Sequence, residues 1–182
     1  ENTVEQFQNA LNQLLKQGAK GLVFDVREDG GGLVAALEKI VDPLLPAGDI
    51  ATATYQDGTT KVLVHSDANE LNLPMMVLVN GNTASAAELF TASLKDFGKA
   101  EVIGEQTFGK GIMQNTFELP DGGAVTLTVA TYQTTKGECY HGVGITPDVI
   151  MEEDYEKVDF DHPNPEQDAQ LKQAMELLQS KI

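Results

Sequence analysis

Apolar residues at Val4, Phe7, Leu11, Leu14 and Leu15 recur at helical spacing, which predicts an amphipathic helix that starts at Asn2 or Thr3 and stops between Gly18 and Gly21. The run "GLVFDV" has no alternation and is short, as expected of a strand buried on both faces. After the glycine-rich "REDGGG" loop, the pattern predicts a second helix from Leu33 to Leu45, ahead of Pro46. "DIATATYQDGTTKVLVH" reads as two strands around an Asp57-Gly58 turn. "MMVLVN" is a further buried strand, and Asn82 or Thr83 is placed to cap a helix running to Asp96. "AEVIG" then predicts a strand, and "IMQNTFEL" and "AVTLTVATYQ" a hairpin across Pro120 to Gly123. A last helix is expected from Pro165 to Leu178, with Leu171, Met175 and Leu178 on one side.

Strand, helix and strand alternate over the first hundred residues and hairpins follow, which predicts an α/β domain with buried central strands, flanking helices and antiparallel additions. The 182 residues suit a single domain, in which 152–182 form an acidic segment and a packed C-terminal helix. Of these residues 41% are hydrophobic, enough for a substantial core. The formal charge of -16 repels nucleic acid phosphates and anionic membranes, and it names no substrate. The chain begins at Glu1 without a start methionine or signal peptide, and it reads as a portion of something longer. Cys139 stands alone, so no internal disulfide forms. His141 lies close to Cys139 in sequence, His65 and His162 fit no metal spacing, nothing in the sequence supports a zinc or serine–histidine site, and no cofactor is called for.

Chemistry is concentrated in three segments. Asp29-Gly30-Gly31-Gly32 follows a buried strand, where exposed backbone N–H groups can face a ligand. A tight turn ahead of a helix explains the same residues. Thr83-Ala84-Ser85-Ala86-Ala87-Glu88 lies at a strand-to-helix junction, where a serine beside a helix N-terminus is well placed for oxyanion chemistry. Helix capping is the plainer account. Phe108-Gly109-Lys110-Gly111 nearly matches a phosphate loop, but Gly111 removes the metal-binding hydroxyl and no helix follows. Lys110 is then either a solvated charge or, if Phe108 shields it from water, a general base for Ser85.

Together the segments "GLVFDVREDGGG", "VLVNGNTASAAELFTASLKDFGKAEVIGEQTFGKGIMQ", "LTVATYQTTKG" and "GVGITPDV" resemble the catalytic core of the carboxyl-terminal processing peptidases, or tail-specific proteases. That family's fold is related to the crotonase and ClpP superfamily, and its members use a serine–lysine dyad. The resemblance implies Ser85 as nucleophile, Lys110 as general base and Gln114 as the residue that positions the lysine. It places the oxyanion hole at the backbone N–H groups of Gly31 and Ala86, and it calls for neither metal nor cofactor. Asp25 and Arg27 match positions that support the fold, and Glu88 matches a frequent acidic position on the serine helix with no catalytic role assigned.

Two departures from the family pattern stand out. Asp29-Gly30-Gly31-Gly32 replaces the usual Asn-Pro-Gly-Gly, which loosens the loop before the oxyanion donor. An upstream PDZ domain, expected in the family as a substrate-capturing and regulatory partner, does not fit before residue 21. The implied activity is endoproteolysis of extended or unfolded protein and peptide substrates, near carboxyl termini and outside the bacterial cytoplasm. Competing readings are a latent protease awaiting a partner or the PDZ domain, a non-catalytic binding module on the same fold, and, by fold analogy alone, a crotonase-type acyl enzyme.

Overall fold

The computed structural model describes residues 2–67 and 69–182 and divides them between two four-stranded sheets with four α-helices. Helix α1 spans Thr3–Lys16, strand β1 Leu22–Asp25, α2 Val34–Val41, β2 Gly48–Tyr55, β3 Thr60–Ser66 and β4 Met75–Val79. Then come α3 Ala86–Asp96, β5 Ala100–Gly104, β6 Ile112–Glu118, β7 Ala124–Thr134, β8 Val149–Ile150 and α4 Ala169–Gln179. The first sheet is parallel, in the order β1-β4-β5-β8, and the second is antiparallel, in the order β3-β2-β7-β6.

Strand β4 explains why its sequence is uninterrupted in apolar character: all five of its residues are buried. Met75, Val77 and Val79 face the main core, with Leu89, Phe90 and Leu94 of α3. Met76 and Leu78 face the other way and meet Ala174 and Leu178 of α4. Helices therefore flank the parallel sheet on both sides, the α/β arrangement expected from the alternating pattern. Among the described residues no helix is long and apolar enough to cross a membrane.

Three local expectations are corrected. Helix α2 ends at Val41 rather than Leu45, because Pro43 lacks an N–H and forces Asp42–Leu44 into a 3-10 turn. Helix α3 begins at Ala86 with Ser85 at its cap, whereas Thr83 donates its hydroxyl across the sheet to the Val26 carbonyl at 2.7 Å. Helix α4 begins only after Asp168, whose side chain accepts from the Leu171 N–H. It buries Gln170, Ala174 and Leu178 and leaves Met175 exposed.

The C-terminal segment is latched to the end of β1. Arg27, only 5% exposed, reaches both carboxyl oxygens of Asp168, at 3.1 and 2.6 Å, and also bonds Asp25 and Gln170. Burial alone would raise the Asp168 carboxyl, but hydrogen bonds from Arg27 and the Leu171 N–H more than offset it and hold it below the usual carboxylate range.

Candidate active site

The carboxyl ends of β1 and β4 lie side by side, so the loops that follow them meet. Hydrogen bonds stitch those loops together. Ala84 N–H donates to the Asp29 carbonyl at 2.9 Å, and the Asn80 and Asn82 side chains both bond Glu28. At Ser85 the chain turns sharply from strand into helix, with φ at +57° and ψ at -119°. A left-handed φ is costly for a residue with a side chain and persists only where its surroundings enforce it. The result is the geometry of a nucleophile elbow, without the usual G-x-S-x-G pattern.

Glu88, one turn into α3, is fully buried and supplies much of that enforcement. Its Oε2 accepts the Ser85 N–H at 2.9 Å and the Lys110 N–H at 2.7 Å. Its Oε1 accepts the Thr107 hydroxyl at 2.6 Å and the Gly109 N–H at 2.7 Å. One side chain thus joins the serine turn to the lysine loop, and Ser85 and Lys110 share an oxygen. The family resemblance gives Glu88 no catalytic role. The Glu88 carboxylate satisfies four donors, and only the tertiary fold brings them to it.

Tyr132 of β7 was not singled out from the sequence. Its hydroxyl donates to the Lys110 carbonyl at 2.8 Å and lies 3.4 Å from Ser85 Oγ. Burial pushes this phenol above its usual value, so it keeps its proton at neutral pH. With that proton directed to the Lys110 carbonyl, the Ser85 hydroxyl is the donor in the longer contact. No spacing signal links two residues so far apart in sequence; strand β7, which pairs with both β2 and β6, delivers Tyr132 to the site.

Gly31 packs directly against the serine turn with φ at +90°. A Cβ there would lie 2.6 Å from the Ala84 carbonyl oxygen and 2.7 Å from the Ala86 nitrogen. Only glycine fits. Ala86 is the first residue of α3, so its N–H is one of the helix's initial donors without an intrahelical acceptor. Gly31 N–H, by contrast, is directed to Asp29 Oδ1 at 2.8 Å.

Lys110 is half-buried, and Phe108, expected to shield it, is 65% exposed. Among the described residues no hydrogen bond joins Lys110 Nζ to Ser85 Oγ. Gln114 lies four positions on, in β6 opposite Thr128 and just beyond a bulge, with its side chain exposed. The structure therefore brings Ser85, Gly31, Ala86 and the Lys110 backbone together and leaves the Lys110 and Gln114 side chains outside that network. Among the described residues no cluster of His, Cys, Asp and Glu could hold a metal ion.

The family model for Peptidase family S41 matches residues 1–151. A carboxyl-terminal-processing protease of Synechocystis is 36% identical over 177 residues, covering 97% of this chain and 41% of that protein. The carboxy-terminal processing protease CtpA of Bacillus subtilis is 38% identical over 162 residues, covering 88% of this chain and 35% of that protein. Among solved structures, the photosystem II D1 C-terminal processing protease superimposes with a TM-score of 0.77 at 38% identity, over 84% of this chain and 40% of that one. A lipoprotein from Streptococcus agalactiae covers 100% of this chain and 62% of its own, with a TM-score of 0.75 and 22% identity, and shows the fold alone. The chain spans about two fifths of the length of the Synechocystis relative. By sequence and by fold, this chain belongs to peptidase family S41.

Proposed function

We propose that this chain is the catalytic core of a serine endopeptidase that cleaves extended or unfolded polypeptides, near their carboxyl termini. The observation that carries this reading is the shared oxygen of Glu88, which sets a strained serine turn beside a lysine loop. Neutral Lys110 takes the proton of Ser85 Oγ as that oxygen attacks the scissile carbonyl. The carbonyl oxygen becomes an anion and is held by the N–H groups of Ala86 and Gly31, once Asp29 yields the latter. Collapse of the intermediate breaks the C–N bond, and the Lys110 ammonium returns the proton to the departing amine. Water then cleaves the acyl-enzyme with the same base. Gln114 orients the lysine without adding charge.

Substrate backbone adds to the free edge of β6, the outermost strand of its sheet and the one entered from Lys110. The two sheets and their flanking helices support placement with the crotonase and ClpP folds, and residues 1–182 act as one peptidase domain. A PDZ domain elsewhere in a longer chain is the expected regulatory partner, and the working compartment lies outside the cytoplasm.

A second reading is a latent core. It is favoured by Ser85 Oγ facing Tyr132 and by the Gly31 N–H being held by Asp29. Incubation with an unfolded, fluorescently labelled protein tests both readings, alongside Ser85→Ala and Lys110→Ala proteins shown to be folded. Cleavage by the parent and by neither variant supports an active dyad. Equal cleavage by Ser85→Ala sinks the nucleophile. If the parent is folded yet inert, and the PDZ-containing full-length protein cleaves in a Ser85-dependent way, the latent reading holds.

A further inference from the structure

Three groups hold the loop that carries Lys110. Glu88 accepts the N–H groups of Gly109 and Lys110. The segment after β7 clasps the same loop: Gly142 N–H donates to the Gly109 carbonyl at 2.9 Å, and Thr107 and Ile145 exchange bonds of 3.2 and 2.7 Å. Tyr132 is the third hold and grips two successive carbonyls. Its hydroxyl donates to Lys110 at 2.8 Å and its backbone N–H to Gly111 at 3.0 Å. Of the three, only Tyr132 also faces a reacting atom, with its oxygen 3.4 Å from Ser85 Oγ. The ring is buried edge-on against Tyr140, centroids 6.1 Å apart, so packing aims the hydroxyl. The Tyr140 hydroxyl is itself buried and makes no hydrogen bond among the described residues.

We infer that Tyr132 is a positioning residue for the serine–lysine dyad: its hydroxyl sets the backbone from which the Lys110 side chain reaches, and its oxygen receives the Ser85 hydroxyl until that side chain arrives. The inference rests on the reading in which Lys110 is the base for Ser85. Tyr132 is not itself that base, because burial keeps its phenol protonated and the proton is committed to the Lys110 carbonyl. Its oxygen is left as an acceptor. The two contacts differ in strength. The 2.8 Å bond has the length of a good O–H···O bond, whereas 3.4 Å is long, so Ser85 leaves Tyr132 at small cost once neutral Lys110 Nζ comes within reach. A lysine side chain on a loosened backbone reaches the serine in more ways, few of them aligned for proton transfer. Losing the Tyr132 hydroxyl therefore acts on the proton-transfer steps. It leaves the oxyanion donors in place, since no hydrogen bond joins Tyr132 to Gly31 or Ala86 among the described residues.

The test compares a peptide amide and a nitrophenyl ester with the same acyl part, on the parent, Tyr132→Phe and Tyr140→Phe. The PDZ-containing full-length protein is used if the core alone is inert. Both substrates need attack by Ser85, but only the amine must receive a proton from the Lys110 ammonium in order to depart; nitrophenolate leaves without one. Acylation is read from single-turnover amide cleavage and from the nitrophenolate burst. Tyr132→Phe is expected to slow amide acylation by about tenfold to hundredfold, and ester acylation by at least about threefold less. KM for the amide should stay within about twofold of the parent. Tyr140→Phe removes a buried hydroxyl that bonds nothing and should keep both rates within about threefold. Tyr132→p-aminophenylalanine keeps a weaker donor for the Lys110 carbonyl, and its amide-to-ester ratio should fall between those of the parent and Tyr132→Phe. It carries the test if Tyr132→Phe does not fold, and a parent-like ratio then overturns the assignment. Equal losses on the two substrates, a loss confined to KM, or unchanged amide acylation by Tyr132→Phe also overturns it. So does a Tyr140→Phe enzyme with the same shift in ratio, because any change in the ring pair would then suffice. If neither form of the parent cleaves either substrate, the peptidase reading fails and takes the assignment with it. If the parent cleaves in a Ser85-dependent way, only the assignment is at stake.

Discussion

Around Ser85 the backbone is bonded on every side, whereas the Lys110 ammonium and the Gln114 side chain make no hydrogen bond among the described residues. Ser85 N–H reaches Glu88, its carbonyl accepts from the Leu89 N–H, and Gly31 packs too closely for any other residue. Lys110 has its N–H and carbonyl fixed by Glu88 and Tyr132, yet its side chain is uncommitted. The difference separates two requirements of the proposed chemistry. Charge stabilisation needs dipoles aimed beforehand; the Ala86 N–H at the start of α3 meets that need, whereas the Gly31 N–H meets it only after Asp29 releases it, ahead of the chemical step. Proton transfer needs only that a mobile amine arrive, and a long flexible side chain on a pinned backbone can do that when substrate excludes water.

The substitution that should damage both halves most is Glu88→Gln. Two donors face each Glu88 oxygen, so an amide must turn its NH2 toward one pair, whichever way it is placed. Each unmet buried donor costs about 1–3 kcal/mol. Cleavage is expected to fall more than about 10³-fold, beyond the loss of a single oxyanion donor, and thermal unfolding should move down clearly. A Glu88→Gln enzyme with near-parent kcat would break the claim that one side chain couples the halves.

Gly31→Ala attacks only the charge-stabilising half. Its Cβ would collide with backbone at Ala84 and Ala86 from a left-handed φ, so the loop must withdraw and carry its N–H away. A loss of about 10²–10³-fold in kcat is expected, the size associated with one oxyanion donor. A change confined to KM would count against the placement of the hole at Gly31.

Asp168→Asn acts from outside the site. Breaking a buried pair costs about 3–5 kcal/mol, and the lower end is expected because Asp25 still bonds Arg27. Since the folded carboxyl is held below its unfolded value, its stabilisation is complete above that value and is lost as pH falls through the folded one. Unfolding temperature should therefore drop more steeply in the parent than in Asp168→Asn below about pH 4. Parallel curves would refute the latch.

These sites show what was legible in the sequence. Strand β4 could be read because burial on both faces leaves a continuous apolar run, and β1 and β5 because their short stretches are mostly apolar and bounded by glycine, although both are only partly buried. The three chemical segments could be read because glycines and a serine at strand ends are local signals. Thr83 misled because its hydroxyl satisfies the Val26 carbonyl just past the end of β1, a contact invisible to local capping rules. Tyr132 and the four bonds of Glu88 were hidden for the same reason: each depends on which loops the sheets bring together. Met175 fits a helical stripe as well as Ala174 does, and only the packing of α4 on β4 chooses between them.

The smallest expected effect is also the most specific to this chain. Asp29 stands where the family pattern has asparagine, and its Oδ1 accepts the Gly31 N–H. Asparagine could accept the same bond through its own oxygen, so Asp29→Asn leaves the loop geometry in place and removes one formal negative charge. That charge lies next to where the proposed oxyanion forms. Two unit charges a few ångströms apart near a protein surface oppose each other by roughly 1–4 kcal/mol, and solvent at this exposed loop screens the value toward the lower end. The expected result is a rise in kcat of about threefold to tenfold with KM little changed, since the repulsion develops only as the carbonyl becomes an anion. The gain should shrink as salt is raised. If kcat is unchanged at low salt, the oxyanion does not form beside Asp29, and the distinction between a preset hole and a late-arriving lysine loses its first half.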